Sequence, residues 1–367
     1  MNDTNNIIHN LHTNMVEWVS IGELCKTITP PKKIPTKNYE VFGKYPIIDQ
    51  GQQSIIGYTN DKSSLVPNDE YVLFGDHTRY VKYHKGSFAQ GADGLKILKV
   101  KDTIIPRYFF YAFLNTDIPT RGYSRHWSIV KALLIPIPSL AEQNRIVGIL
   151  DTFTESIENI KKQIQLRKKQ YEFYRDKLLD LEGKPGICWK KLNSICGVIN
   201  GRAYKQSELL TEGKYKVLRV GNFFSNDNWY YSDLELDNKY YCFCGDLLYA
   251  WSASFGPHIW KEDKTIYHYH IWKMNCSNQI LIKYMFYWLQ SDNMRKQAFS
   301  HLHGSTMAHL TKALIESLLV PVPSLAEQSR IVSILDQFES SISNLEHQLS
   351  QRQKQYEYYR NKLLTFE

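Results

Sequence analysis

Two long stretches of the chain carry apolar residues at alternating steps of four and three. In the first they are Ile146, Leu150, Phe153, Ile157, Ile160 and Ile164, then Tyr171, Tyr174 and Leu178. In the second they are Ile331, Leu335, Phe338, Ile342, Leu345 and Leu349, then Tyr356, Tyr359 and Leu363. This is a 3.5-residue period sustained for about five heptads, the pattern of a coiled coil. Ser139 with Glu142, and Ser324 with Glu327, form S-x-x-E capping boxes, and Pro138 and Pro323 keep the incoming chain extended. At about 1.5 Å per residue each stretch predicts a helix of roughly 65 Å, longer than a globular module needs. Neither helix can hide its stripe alone, so the two are expected to form an antiparallel coiled coil with a globular module at each end. Two separate amphipathic helices, each packed on its own module, are the alternative. One seam position in each stretch holds an arginine, Arg167 and Arg352, which either fixes register or carries its head out to solvent.

The two stretches are copies of one another. PSLAEQNRIVGILD begins at Pro138 and PSLAEQSRIVSILD at Pro323, and the likeness runs without a gap into KKQYEFYRDKLL and QKQYEYYRNKLL. Of the 42 pairs between Pro138–Leu179 and Pro323–Leu364, 27 are identical, which makes this an internal duplication. The segments ahead of each copy also begin alike, Trp18 to Cys25 and Trp189 to Cys196, and then diverge. The layout is therefore a polar leader at 1–15, a variable module at 16–138, a helical region at 139–182, a second module at 183–323 and a second helical region at 324–367.

Within the modules the pattern changes to short β-like runs broken by Gly, Asn and Asp. In the first these are Tyr45–Ile48, Tyr71–Phe74 and Lys96–Val100; in the second, Lys216–Val220, Leu247–Trp251 and Ile266–Trp272. Each module closes with a short helical patch, Pro106–Leu114 and Ile280–Leu289, and then a loop rich in polar and basic residues. The fold class expected is α+β, two globular domains with a mixed, curved β-sheet joined by the two long helices.

The loops carry groups that hydrogen-bond to base edges and phosphates. In the first module they are Gln50, Gln52, Gln53, His77, Arg79, Lys82, Arg121, Arg125 and His126. In the second they are Arg202, Lys205, Arg219, Asn222, Ser252, Ser254, His258, His303, Ser305 and Thr306. Arginine grips guanine, and glutamine or asparagine grips adenine, by two bonds, while lysine and serine more often hold phosphate. Each taken singly is also an ordinary solvated residue; the set carries the signal. A net charge of +8 permits a polyanionic partner without demanding one.

Composition mainly excludes. An apolar fraction of 43% fits an ordered globular protein, and no run of around twenty apolar residues predicts a membrane span. The first fifteen residues lack the basic start and apolar core of a secretory signal, and Met15 offers an alternative start. Six cysteines make no dense disulfide pattern, so a reducing cytoplasm is expected. There is no G-x-x-x-x-G-K-[ST] loop for ATP, no Asn-Pro-Pro-Tyr or Asp-Pro-Pro-Tyr, and no Gly-rich strand-to-helix turn for a nucleotide. Glu262-Asp263-Lys264 after Asp246 loosely imitates a metal-dependent nuclease set, and the first module has no counterpart. Cys242-x-Cys244, His268-x-His270 and His301-x-His303 invite a metal, but read more naturally as strand and loop residues. No catalytic and no metal-ligating residue is assigned.

The duplicated Pro-x-Pro-Ser-Leu-Ala-Glu-Gln-x-Arg-Ile-Val-x-Ile-Leu-Asp, the long helix after it, and the loops Gly122–His126 and His303–Met307 resemble the specificity subunits of type I restriction–modification systems. The resemblance covers the chain from about Trp18 to Phe366. It implies that each module is a target-recognition domain reading one half of a bipartite, asymmetric site in double-stranded DNA. It implies also that the paired helices set the spacing and dock two modification (methyltransferase) subunits, with restriction (endonuclease and translocase) subunits joining them. S-adenosylmethionine, ATP and Mg2+ would then belong to those partners, with no cofactor and no catalysis in this chain. The rival readings are a coiled-coil scaffold presenting two ligand-binding modules, and a stand-alone nuclease using Glu262 and Lys264.

Overall fold

The heptad stretches form two helices of 40 residues each, Leu140–Leu179 and Leu325–Leu364. In the computed structural model, the described residues are 16–366 apart from 92, 121, 123, 225, 253 and 300–309. The polar leader at 1–15 and the candidates Arg121, His303, Ser305 and Thr306 therefore lie outside the described residues. Both capping boxes have a helix-start bond, with Glu142 N–H donating to Ser139 Oγ and Glu327 N–H to Ser324 Oγ, each at 3.3 Å. The glutamates turn instead to Arg145 and Arg330 one turn on.

The chain divides into two compact units whose boundary falls inside both long helices. Unit 1 holds residues up to Lys161 together with His347–Glu367, and unit 2 holds Lys162–Glu346. Each unit thus contains one module, the first half of one helix and the last half of the other.

In unit 1, Ile146 and Leu150 of the first helix are buried with Tyr356, Leu363 and Leu364 of the second, and Phe153 stacks on Tyr359 at 5.3 Å. In unit 2 the roles exchange: Ile331 and Leu335 pack with Tyr171, Leu178 and Leu179, and Phe338 stacks on Tyr174 at 5.5 Å. The start of one helix meeting the end of the other makes the pairing antiparallel. Ile157 and Ile164 are buried, while Ile160, Ile342, Leu345 and Leu349 are half-buried. Tyr174 and Tyr359 depart from the expected seam: each lays one ring face on a phenylalanine and keeps about 40% of its surface in water. The seam arginines follow them. Arg352 lies 5.5 Å from the Phe153 ring and Arg167 5.9 Å from the Phe338 ring, so each cation is held against an aromatic face of the opposing helix.

The modules share one topology. In the first, the strands are β1 Glu17–Ser20, β2 Cys25–Ile28, β3 Tyr45–Ile48, β4 Gly57–Thr59, β5 Leu65–Val66, β6 Glu70–Gly75, β7 Val81–Lys85, β8 Phe88–Gln90, β9 Leu95–Val100 and β10 Leu134–Ile137. In the second they are β11 Cys188–Lys191, β12 Cys196–Asn200, β13 Tyr215–Leu218, β14 Tyr230–Ser232, β15 Tyr241–Cys242, β16 Leu247–Ser252, β17 Ser254–Ile259, β18 Thr265–Tyr267, β19 Ile271–Cys276 and β20 Leu319–Val322. One sheet has the order β2-β9-β6-β7, matched by β12-β19-β16-β17; the other runs β4-β3-β8-β5, matched by β14-β13-β18-β15. The second sheet of each module is mixed, because β3 pairs parallel with β8 and β13 with β18. The expected curved sheet is thus resolved into two four-stranded sheets, with β1–β10 and β11–β20 as separate two-stranded ribbons. Trp18 and Trp189, the anchors seen in the sequence, sit opposite Pro136 and Pro321 in those ribbons.

Two β-like runs differ from their strands. Ile266–Trp272 is not continuous: β18 and β19 belong to different sheets, and a turn at His268–His270 separates them. Aromatic residues fill that turn, so neither Gly nor Pro announced it. Lys216–Val220 stops as a strand at Leu218, and Val220–Phe224 forms a short helix. The helical patch of the second module is Ile282–Trp288, and a further helix, Asp292–Phe299, follows it.

Each module is fastened to its long helix by the same bonds. Gln143 is buried, accepts from Ile105 N–H at 3.0 Å and donates to the Pro138 carbonyl at 2.9 Å. Gln328 accepts from Leu281 N–H at 2.8 Å and donates to the carbonyls of Pro323 and Gln279 at 2.9 Å. Each satisfies an uncapped N–H near the start of the module's closing helix, Pro106–Leu114 or Ile282–Trp288. The hydroxyls of Tyr108 and Tyr284 donate to Pro136 and Pro321, and those of Tyr111 and Tyr287 to Asp151 and Asp336. Arg107 and Lys283 pair with the same two aspartates.

Replacing the buried Gln328 by leucine keeps the side chain's bulk but strands a part-buried N–H and two carbonyls. Chemical denaturation is expected to show a loss of about 2–4 kcal/mol. Leucine at the exposed Gln337 of the same helix is the control, with a change within about 0.5 kcal/mol.

Candidate nucleic-acid interface

In the first sheet of each module, antiparallel pairing brings several loops to one end. For the first module these are the loops β3–β4, β6–β7 and β8–β9, joined by the segment before the helix Trp127–Val130. Gly75 pairs with Leu95, the Asp76 amide donates to the Gly94 carbonyl at 2.7 Å, and Gln50 Oε1 accepts from His77 N–H at 3.2 Å. The Thr78 hydroxyl donates to the Gln50 carbonyl. A Cβ at Gly75 would collide with both, so only glycine fits there. Arg79 adopts φ +65°, a left-handed conformation that costs a non-glycine residue energy. Its guanidinium donates to the Ile118 carbonyl at 3.1 Å and the Thr120 hydroxyl at 2.7 Å, which ties the β6–β7 turn to the polar loop ahead of Gly122.

The second module repeats the arrangement with other residues. Tyr269 N–H donates to the Arg202 carbonyl, His268 N–H to Leu218, and Trp251 N–H to His270, so loops β12–β13, β13–β14, β16–β17 and β18–β19 meet. The Trp251 indole N–H donates to the Tyr269 carbonyl at 2.9 Å. A Cβ at Gly201 would strike the His268 carbonyl, the second place where the convergence demands glycine. Burial, His270 and Arg219 together push the His268 imidazole down to about 4, so it is neutral at pH 7.

The candidates named from sequence divide into braces and available groups. Lys82 is a brace: its ammonium donates to the Asp49 and Gln53 carbonyls at 2.9 and 2.6 Å, and burial lowers its pKa. His126 is fully buried, with its N–H on the Asp76 carboxylate at 2.9 Å, which also faces Lys96 at 3.6 Å. Arg202 is engaged bidentately by Glu208 at 2.8 and 2.9 Å. Asn222 closes its own loop through the carbonyls of Asn226 and Asn228, Ser252 is buried, and His258 packs on Phe223 at 4.8 Å. These residues hold the loops in shape. Gln52, Gln53, Arg125, Lys205, Arg219 and Ser254 are exposed, and His77 is half-buried.

The turn His268-Tyr269-His270 and its neighbour Trp251 were not among the residues proposed to contact DNA. The H-x-H spacing was visible but was read as strand and loop residues, and only the convergence of distant loops places it beside Arg219. Among the described residues no group of three or more His, Cys, Asp or Glu side chains is disposed to hold a metal ion. The nuclease-like set is dispersed into separate pairs: Glu262 with Lys216 at 2.7 Å, Asp246 with Lys273 at 2.6 Å, and Lys264 over the Tyr241 ring at 3.9 Å. No described helix is long and apolar enough to cross a membrane.

Comparison with known proteins agrees with this geometry. The chain is 28% identical to the type I restriction enzyme EcoR124I/EcoR124II specificity subunit of Escherichia coli, over 96% of this chain and 94% of that one. It is 24% identical to the type I restriction enzyme MjaVIII specificity subunit of Methanocaldococcus jannaschii, over 95% and 92%. The fold is similar to the crystal structure of the type I restriction–modification S subunit from M. genitalium, with a TM-score of 0.61 at 18% identity over 97% and 98% of the two chains. The model of the type I restriction modification DNA specificity domain matches twice, at residues 15–168 and 188–354, once for each module with most of its helix. With both copies matched across most of its length, the chain belongs to the type I restriction–modification DNA specificity family.

Proposed function

We propose that this chain selects the DNA sequence on which a type I restriction–modification complex acts, each module reading one half of a bipartite, asymmetric site. The observation that carries this reading is the pair of loop poles: one topology, different side chains. A fixed scaffold with exchangeable loops reads two unlike half-sites by base-edge and phosphate contacts. The exposed candidates Gln52, Gln53 and Arg125 would serve the first half-site, and Lys205, Arg219 and Ser254 the second.

Two modification subunits would dock on the helical regions. A repeated apolar surface supports this. Unit 1 exposes Leu134, Leu140 and Tyr358, and unit 2 exposes their counterparts Leu319, Leu325 and Phe173, each more than two-fifths in water. In unit 1 the surface borders a groove of about 820 Å3 lined by Pro138, Glu142, Tyr358, Lys362 and Phe366. Two equal patches suit two copies of one partner. Those partners and the restriction subunits would carry S-adenosylmethionine, ATP and Mg2+ in the cytoplasm, and this chain would carry no cofactor.

Co-expression with its cognate modification subunit, in a host lacking other adenine methylation, is expected to methylate one gapped two-part motif. An assembled complex that leaves the DNA unmethylated would overturn the proposal. Adding whole heptads within Ile157–Ile164 is expected to lengthen the gap and leave both halves of the motif unaltered; an unchanged gap contradicts a spacing role for the helices. Exchanging Cys188–Val322 for a relative's second module is expected to alter one half alone. Altered bases in both halves would contradict independent reading.

A further inference from the structure

At the loop pole of the second module lies a recess of about 170 Å3 lined by Arg219, Val220, Gly221, Asn226, His268 and His270. Its polar lining consists of two imidazoles, one guanidinium and one amide, with no carboxylate. Arg219 forms no ion pair among the described residues and rests 5.2 Å from the Tyr230 ring, whereas the nearby Arg202 is engaged by Glu208. Asn226 Oδ1 already accepts from Asn228 N–H at 2.8 Å, so the amide has its NH2 to offer. His268 Nδ1 accepts a long bond of 3.5 Å from His270 N–H, which puts the imidazole proton on Nε2 as a donor.

Resting on the reading above, we propose that this recess is a phosphate clamp, taking one backbone phosphodiester of the half-site that the second module reads. The chemistry is that of an anion site: donors and positive charge, in a concavity the size of a compact group. Shape separates phosphate from base. Phosphates are the outermost groups of a duplex and can enter a recess; base edges lie at the floor of a groove about 8.5 Å deep and are reached only by projecting side chains. Arg219 supplies the permanent charge and Asn226 a neutral donor. His268, neutral at pH 7, supplies a further N–H donor from Nε2.

The groups that face the imidazoles bring little negative charge to the recess. From the loop after β12, His268 faces Tyr204 and the Arg202–Glu208 pair; from the end of β13, Arg219; on its own turn, Tyr269 and His270. His270 faces Trp251 of β16. Glu208 is the one carboxylate in this set, and it is spent on Arg202. Among the described residues the first module differs at the corresponding positions: Asp49 follows β3, and Asp93, paired with Lys33, lies in the β8–β9 loop. The clamp therefore distinguishes the two half-sites.

The test uses the full chain assembled with its modification subunits and duplex DNA carrying the methylated motif, titrated against salt at constant pH. The variants are H268L and the exposed R219Q. For R219Q the slope of log affinity against log salt is expected to fall by about one, the loss of a single charged phosphate contact, and H268L, which removes a neutral donor, is expected to weaken binding about tenfold. Methylation by both variants is expected to weaken as salt rises and to fall on the same motif. An R219Q complex with the wild-type slope, or an H268L complex with the wild-type affinity, would overturn the clamp. A changed second half of the motif would overturn it as well, by showing that these residues read bases. If the wild-type complex itself binds DNA without salt dependence, the reading of the whole chain as a DNA selector fails, and the clamp with it.

Discussion

A helix of 40 residues with a heptad stripe presents one continuous apolar face, and water drives that face against a partner. In this chain no module is long enough to cover a whole stripe, so each stripe is covered in two parts. Its first half packs on the module it follows and on the end of the other helix, and its last half is shared in the same way within the other unit. The internal organisation of both units follows from this one requirement. It explains why Ile146 and Leu150, or Ile331 and Leu335, lie in the same clusters as module residues such as Tyr108 and Tyr284.

The same requirement explains which residues the two copies share. Gln143 and Gln328 sit where a helix start of the module meets the long helix, and leaving backbone N–H and carbonyl groups unpaired there would be costly. Asp151 and Asp336 each bind a tyrosine hydroxyl and a cation from the module. Burial pushes the Tyr111 and Tyr287 hydroxyls upward, with the carboxylates adding to it, so they act as firm donors. The loop poles carry no such burden. Once Gly75 and Gly201 permit the backbones to converge, the exposed side chains are free to differ. A constant frame with exchangeable tips suits a protein whose modules read different sequences.

Several features of the poles were beyond local reading. Lys82, Arg202 and His126 have the composition of DNA contacts, yet the structure uses them to brace loops. Their partners, the Asp49 carbonyl, Glu208 and Asp76, include groups far along the chain. Conversely, His268 and Arg219 are separated by 49 positions and meet because β13 and β18 pair in parallel.

Periodicity and duplication alone determined the two long helices, their capping residues, the module order and the family resemblance, because these depend on neighbours within a few turns or on direct copying. The closing helix Pro106–Leu114 and the strands Tyr45–Ile48 and Leu247–Ser252 were legible, or nearly so, for the same reason. The equal topology of two modules with unlike sequences was decided only by tertiary structure. So were the break at His268–His270, the half-exposed Tyr174 and Tyr359, and the sorting of polar residues into braces and available groups. Each of these depends on which groups from distant strands arrive at the same place, and a hydrogen bond or an ion pair leaves no periodic mark along the chain.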